Sequence, residues 1–142
     1  MKFSSRLILL LSVLVLVAGC DYGKALKTLG SADQVRAELL SVRQSIRTSE
    51  RKKIISSSSD VQRSAQMIGG PNRDWSLYVV DTPFSPLNLV FSKNGDEFAT
   101  AELAPGWIII EFYGRKHLTI SAALSKEEYQ RFLRFVWRDV QP

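Results

Sequence analysis

The residue best placed for covalent chemistry is Cys20, the only cysteine in a chain of 142 residues. It follows the small residues Ala18 and Gly19, which end an apolar run over 7–17 that begins after a short basic start. A lone thiol can form no disulfide within the monomer, and it cannot build a cysteine-ligated metal site. The position therefore favours modification of the thiol itself.

The segment Val17-Ala18-Gly19-Cys20 resembles the lipobox of a bacterial lipoprotein signal peptide, a likeness that covers residues 1–20 only. The resemblance implies cleavage between Gly19 and Cys20, a thioether link to diacylglycerol, and palmitate-type acylation. The apolar run is too short for a membrane span, which needs about twenty residues. The mature chain is thus expected on the extracytoplasmic side of a membrane. Asp21 resembles an inner-membrane retention signal and favours the periplasmic face, with the outer membrane as the alternative.

Other residue types that support catalysis are present without the spacing that catalysis needs. His117 has no His, Asp or Glu at ligand spacing, and it is interpreted as a histidine on a strand surface. The serines form no G-x-S-x-G or S-x-x-K motif, and Gly69-Gly70 lacks the spacing of a phosphate loop. We therefore predict no catalytic residue, no metal site, no cofactor and no enzymatic activity.

The mature chain divides near Gly69-Gly70-Pro71. We expect a lipidated tether over 20–30, a helical segment over 31–70, and an antiparallel sheet with a C-terminal helix over 71–142. The last two are expected to form one domain, since the chain is long enough for a single modest core.

A capping box at Ser31 and apolar positions spaced 4, 3 and 4 predict an amphipathic helix ending near Arg51. Its apolar stripe is Val35, Leu39, Val42 and Ile46. A second stripe is basic, and it could contact a membrane or a partner or simply be solvated. That stripe is Arg36, Arg43, Arg47 and Arg51. A second cap at Ser59 predicts a short helix with Val61, Ala65 and Ile68 inward.

Alternating hydrophobicity predicts five strands of an antiparallel meander, over 75–80, 87–92, 97–103, 107–113 and 117–123. Asn94-Gly95 is typical of a type I′ hairpin turn, which would place Phe91 opposite Phe98. In the hairpin of the last two predicted strands, a three-residue loop would pair Ile110 with Ile120, whereas a two-residue turn would pair Ile110 with Thr119. Burial favours the first register.

Ser125 and Glu128 form a capping box, which predicts a final helix packed on one sheet face. The predicted fold is therefore α+β, with N-terminal helices, a five-stranded meander and a C-terminal helix. The opposite sheet face would carry Trp107, Ile109 and Tyr113, which are too apolar for water alone. Either the N-terminal helices cover this face or it binds a partner.

Phe84 stands between two prolines in the loop before the second predicted strand, where it could form a binding tip or tuck into the core. Together with Trp107, Ile109 and Tyr113 it forms the predicted interaction surface.

Of the net charge of +5, residues 20–70 carry an excess of +4, with nine Lys/Arg against five Asp/Glu, which favours contact with an anionic membrane rather than with nucleic acid outside the cytoplasm. We predict a membrane-tethered lipoprotein of the bacterial cell envelope that acts as a non-catalytic protein-interaction module. Its complex would serve envelope assembly, secretion, conjugation or immunity. The alternative is a carrier or sensor that binds a small apolar or glycan ligand between the sheet and the N-terminal helices. A distant alternative is a glycan hydrolase using two of the strand glutamates Glu97, Glu102 and Glu111.

Overall fold

The computed structural model describes residues 22–43, 46–70, 73–79, 84–114 and 117–138. These residues form three helices and seven strands. In chain order they are α1 (22–29), β1 (Gln34–Arg43), β2 (Ile46–Ile55), α2 (Ser58–Ile68), β3 (Ser76–Leu77), β4 (Leu87–Lys93), β5 (Asp96–Ala104), β6 (Gly106–Phe112), β7 (Leu118–Leu124) and α3 (Lys126–Val136).

All seven strands belong to one antiparallel sheet with the order β2-β1-β4-β5-β6-β7-β3. We call the face that carries Ile108, Ile110 and Phe112 the inner face. Its side chains form one buried cluster with residues from all three helices, including Leu29, Ile68 and Phe132. The α+β class and the packing of the C-terminal helix on one sheet face are thereby confirmed.

The meander from β4 to β7 follows the predicted strands closely. Ile110 pairs with Ile120, as the three-residue loop requires. Asn94 and Gly95 have φ of 53° and 85°, as a type I′ turn demands. Phe91, however, pairs with Ala99 and not with Phe98, because a bulge after Phe91 shifts the register by one residue.

The predicted helix over 31–51 is wrong, since this segment forms the hairpin of β1 and β2. A spacing of four is even, so it returns Val35 and Leu39 to one face in a strand as well as in a helix. The intervening Ala37 is fully buried, which fits an alternation of period two. Ser31 caps no helix start; its hydroxyl donates to the carbonyl of Thr28, at the end of α1.

The segment 20–30, expected to be a tether, contains helix α1, and Leu29 in this helix is fully buried. The second predicted helix exists as α2, capped by Ser57 rather than Ser59. The first predicted strand of the meander shrinks to β3, and it pairs with β7 at the sheet edge rather than with β4. Two predicted positions lie outside the described residues: Val80, the end of the first predicted strand, and Val140, the last apolar position of the predicted C-terminal helix.

Two ends of the sheet are useful landmarks. At one end the register aligns Leu39, Leu87, Leu103, Ile108 and Ala122 across five strands. Trp107 lies there, so we call it the Trp107 end. At the other end lie the Asn94-Gly95 turn and the close of β6, which we call the Tyr113 end.

Candidate interaction surface

The face opposite the core, which we call the outer face, has none of the described helices packed on it. Val90 and Ile109 are each only 4% exposed on this face, yet neither belongs to the core cluster. Their cross-strand partners are polar or charged: Val90 lies between Arg36 and Thr100, and Ile109 between Glu102 and Ser121. Long polar side chains can cover small apolar ones in this way.

A group of ion pairs occupies the β1 side of the outer face. Nε of Arg36 lies 3.0 Å from Oε1 of Glu38, and Nη1 of Arg36 lies 2.8 Å from Oε1 of Glu97. Nζ of Lys52 lies 3.7 Å from the same Glu38 oxygen. The charges on this part of the face are therefore matched within the domain, so a partner would meet a surface with few unbalanced charges.

Tyr113 organises a polar cluster at the Tyr113 end. Its backbone N–H donates to the carbonyl of Phe98, the bulged residue of β5, over 2.8 Å, which holds Tyr113 just beyond β6. Its hydroxyl lies 3.0 Å from Oγ1 of Thr100 and donates to Oε2 of Glu111 over 3.3 Å. Nε2 of His117 lies 2.6 Å from Oε1 of Glu111.

Burial raises the pKa of the Tyr113 hydroxyl above its ordinary value, and the Glu111 carboxylate adds to the rise while the hydrogen bond with Thr100 opposes it. The hydroxyl is therefore neutral at physiological pH and acts as a hydrogen-bonding group rather than as a base. The ring of Tyr113, 41% exposed, meets the imidazole of His117 edge-on with centroids 6.0 Å apart.

The predicted interaction residues divide between the two ends of the sheet. Trp107, half-buried, pairs with Ala104 and Ala123 at the Trp107 end. Phe84, 39% exposed, belongs to the same end, because the hydroxyl of the adjacent Ser85 donates to the carbonyl of Leu103. Tyr113 stands at the other end, about 20 Å along β6.

Between these ends Ile109 offers little accessible area. The outer face therefore presents an aromatic end and a polar end, joined by a mostly covered middle.

The four predicted stripe arginines do not form one stripe, because no helix carries them. Arg36 and Arg43 lie on β1, whereas Arg47 and Arg51 lie on β2. Arg36 belongs to the ion pairs of the outer face, and Arg51 is exposed opposite Leu39. Arg43 and Arg47 take register positions near the hairpin tip, paired with Ile46 and Val42 respectively.

The three strand glutamates considered for acid–base chemistry lie on the sheet surface. Glu97 pairs with Arg36, and Glu111 contacts His117 and Tyr113. In the register Glu102 stands between Asn88 and Ile109. The carboxylates of Glu97 and Glu111 therefore each contact a basic side chain of the sheet surface, and Glu111 also accepts a hydrogen bond from Tyr113. This arrangement supports a fixed polar surface.

Sequence reasoning missed two features here. The contact between His117 and Glu111 depends on the β6–β7 pairing, which brings Thr119 opposite Glu111 and His117 near it. No sequence pattern points to Arg73, whose side chain is 9% exposed and donates to the carbonyls of Met67, Ile68 and Ala123. A lone arginine between a helix and a strand leaves no periodic signal.

No family model, curated protein or solved structure matches the chain. Among the described residues, no cluster of three or more His, Cys, Asp or Glu side chains could hold a metal ion. Within the same part of the chain, no helix combines the length and the apolar character needed to cross a membrane.

Proposed function

We propose that this protein is a lipoprotein of the bacterial cell envelope, anchored through Cys20, whose outer sheet face binds another envelope protein without catalysing a reaction. The observation that carries the proposal is the exposure of apolar side chains on a sheet face that no described helix covers. Trp107, Tyr113 and Phe84 are the partly accessible aromatics of this face and its rim. Such side chains are enriched at protein interfaces.

The order of elements supports the same proposal. Helix α1 is described from residue 22 onward, and it packs on the folded domain through Leu29. The site of lipid attachment would thus lie directly beside a folded domain of a size suited to a single binding surface. Asp21 after the lipidated residue favours the periplasmic face of the inner membrane.

The carrier alternative has less support, because the space between the described helices and the inner face is filled by the apolar cluster. The hydrolase alternative has less support as well. Its candidate carboxylates share a sheet surface, whereas glycosidases place two carboxyl groups across a substrate cleft.

Two experiments test the proposal. Cys20→Ala should abolish incorporation of radiolabelled palmitate and leave an uncleaved precursor; equal labelling of this variant would refute the lipid anchor. For the surface, a photo-crosslinking amino acid at position 107 should capture a discrete envelope protein in intact cells. The matched control is position 131, which is exposed on α3. Equal capture from both positions, or none from position 107, would refute the outer face as the binding surface.

A further inference from the structure

The end of the domain that would face the membrane follows from the position of Tyr22 in helix α1. Cys20 precedes Tyr22, the first described residue of α1, by two positions, so their Cα atoms are at most about 7 Å apart. The helix is fixed to the domain: Leu29 is buried in the core, and the Gln62 side chain donates a hydrogen bond to the carbonyl of Gly30. A lipid on Cys20 would therefore hold one particular side of the domain at the bilayer.

That side is the Trp107 end of the sheet. Tyr22 lines a groove together with Gly69, Gly70, Arg73 and Trp75. Nη1 of Arg73 lies 3.2 Å from the carbonyl oxygen of Ala123, near the end of β7. The register pairs Ala123 with Trp107. Tyr22 thus lies over the Trp107 end, on the side of the helices.

The residues around this point suit a membrane–water interface. Tyr22 and Trp75 are half-buried aromatics, a class enriched where lipid meets water. Lys24 and Lys27 are both exposed on α1, and residues 22–29, the described part of this helix, include no acidic side chain. Basic side chains close to an anionic leaflet are attracted to its headgroups.

The β1–β2 hairpin reaches the same end from the other side of the sheet. The pairing of β1 with β4 ends at Leu39, whereas its pairing with β2 continues to Arg43 and Ile46. The hairpin thus extends four residues, about 13 Å, beyond that row of the sheet. Its outermost paired positions include Arg43 and Arg47. Four strand spacings, about 19 Å, separate β1 from β7.

We propose that the Trp107 end is a membrane-contact surface that rests on an anionic lipid bilayer. Tyr22, Lys24 and Trp75 lie beside the anchor, and the far end of the β1–β2 hairpin, where the register places positions 43 and 47, makes a second contact. Two separated contacts fix the tilt of the domain, which a single anchor would not do. This inference rests on the proposed lipidation of Cys20.

The test uses the full lipidated chain in vesicles of phosphatidylcholine and phosphatidylglycerol with brominated acyl chains, which quench nearby tryptophan. One variant keeps only Trp75 (W107F with W137F) and the other keeps only Trp137 (W75F with W107F). Trp137 follows α3 at the Tyr113 end, where the adjacent Arg138 lies 2.7 Å from Asp60 at the start of α2. Phenylalanine retains an aromatic ring at the replaced sites. Trp75 should lose fluorescence, and Trp137 should keep it.

A pair of double variants tests the second contact. In the Trp75-only background, R43Q with R47Q should reduce the quenching of Trp75 on anionic vesicles to the level found on pure phosphatidylcholine. R131Q with R134Q, the same charge change on the exposed side of α3, should leave the quenching unchanged. Equal effects of the two double variants would overturn the role of the hairpin.

Mass spectrometry of the same samples separates the two levels of the proposal. A chain without diacylglycerol on Cys20 would refute the lipid anchor and this inference together. A lipidated chain with equal quenching of Trp75 and Trp137 would overturn the membrane-contact surface alone.

Discussion

The guanidinium of Arg73 and the carboxylate of Glu128 lie 2.9 Å apart, from Nη2 to Oε1, and this contact ties the segment after α2 to the first turn of α3. The same guanidinium donates to two carbonyls at the end of α2 and to one at the end of β7. One side chain therefore joins three elements that meet at the Trp107 end.

Replacing Arg73 should destabilise the domain strongly. Arg73→Met keeps much of the side-chain volume, but it leaves three backbone carbonyls and the Glu128 carboxylate without this donor. We expect a loss of about 3 kcal/mol in the free energy of unfolding, measured by urea denaturation. Arg134→Met, on the exposed side of α3, should change it by less than about 0.5 kcal/mol. Equal effects would show that the Arg73 contacts contribute nothing specific.

Glu128 should give the unfolding free energy a measurable acid dependence. The backbone N–H of Ser125, and to a lesser degree the charge and hydrogen bond of Arg73, hold the pKa of Glu128 below its ordinary value of 4.5, while partial burial opposes them. A lowered pKa in the folded state contributes stability above pH 4.5, and this contribution disappears as the pH falls through the folded-state pKa.

Glu128→Gln tests this dependence, since Gln can still complete the capping box while carrying no charge. Wild-type protein should lose more unfolding free energy than the variant between about pH 6 and pH 3. Glu127→Gln removes the same charge from an exposed neighbouring position and should leave the acid dependence intact. Parallel curves for wild type and Glu128→Gln would contradict the assignment.

Burial along β6 predicts opposite outcomes for adjacent substitutions. Ile110 is fully buried, so Ile110→Ala should cost about 2 to 5 kcal/mol through lost burial and a cavity. Glu111→Ala on the outer face should cost under about 1 kcal/mol, since it removes partly solvated contacts. Thermal melting of the two variants measures the difference. A reversal of the two effects would mean that the faces of β6 are exchanged.

The turn between β5 and β6 gives a test of backbone strain alone. Gly106 has a φ of 110°, and a Cβ added there would meet no atom within 4 Å. Gly106→Ala should therefore cost about 1 to 2 kcal/mol through its backbone conformation. Gly114→Ala is the control, because that position has equal space and no positive φ, and it should be nearly neutral. Calorimetry of both variants measures the two losses in stability. Equal losses would show that the positive φ of Gly106 is not the cause.

Local signals in the sequence predicted the elements whose structure is decided locally. Asn94-Gly95 identified the β4–β5 hairpin, and the Ser125–Glu128 capping box identified the start of α3. The pairing of Ile110 with Ile120 followed from burial of one sheet face. In each case neighbouring residues supplied both the conformation and the stabilising contact.

Features decided by distant parts of the chain were not predictable in this way. The even spacing of Val35 and Leu39 suits a helix and a strand equally, and pairing with β4, some fifty positions away, settled the outcome. The turn type also did not predict the bulge that moves Phe98 out of register with Phe91, although this bulge positions Tyr113. The side chains of the outer face could be predicted, but the sequence did not show that none of the described helices covers this face.

The orientation of β6 determines how far from the bilayer a partner would contact each end of the outer face. If the Trp107 end rests on the bilayer, Trp107 lies close to the headgroups, whereas Tyr113 stands about 20 Å further from them. A protein that contacts both must present a surface that rises perpendicular to the membrane over that distance. The wall of a membrane-embedded assembly just above the lipid has this shape.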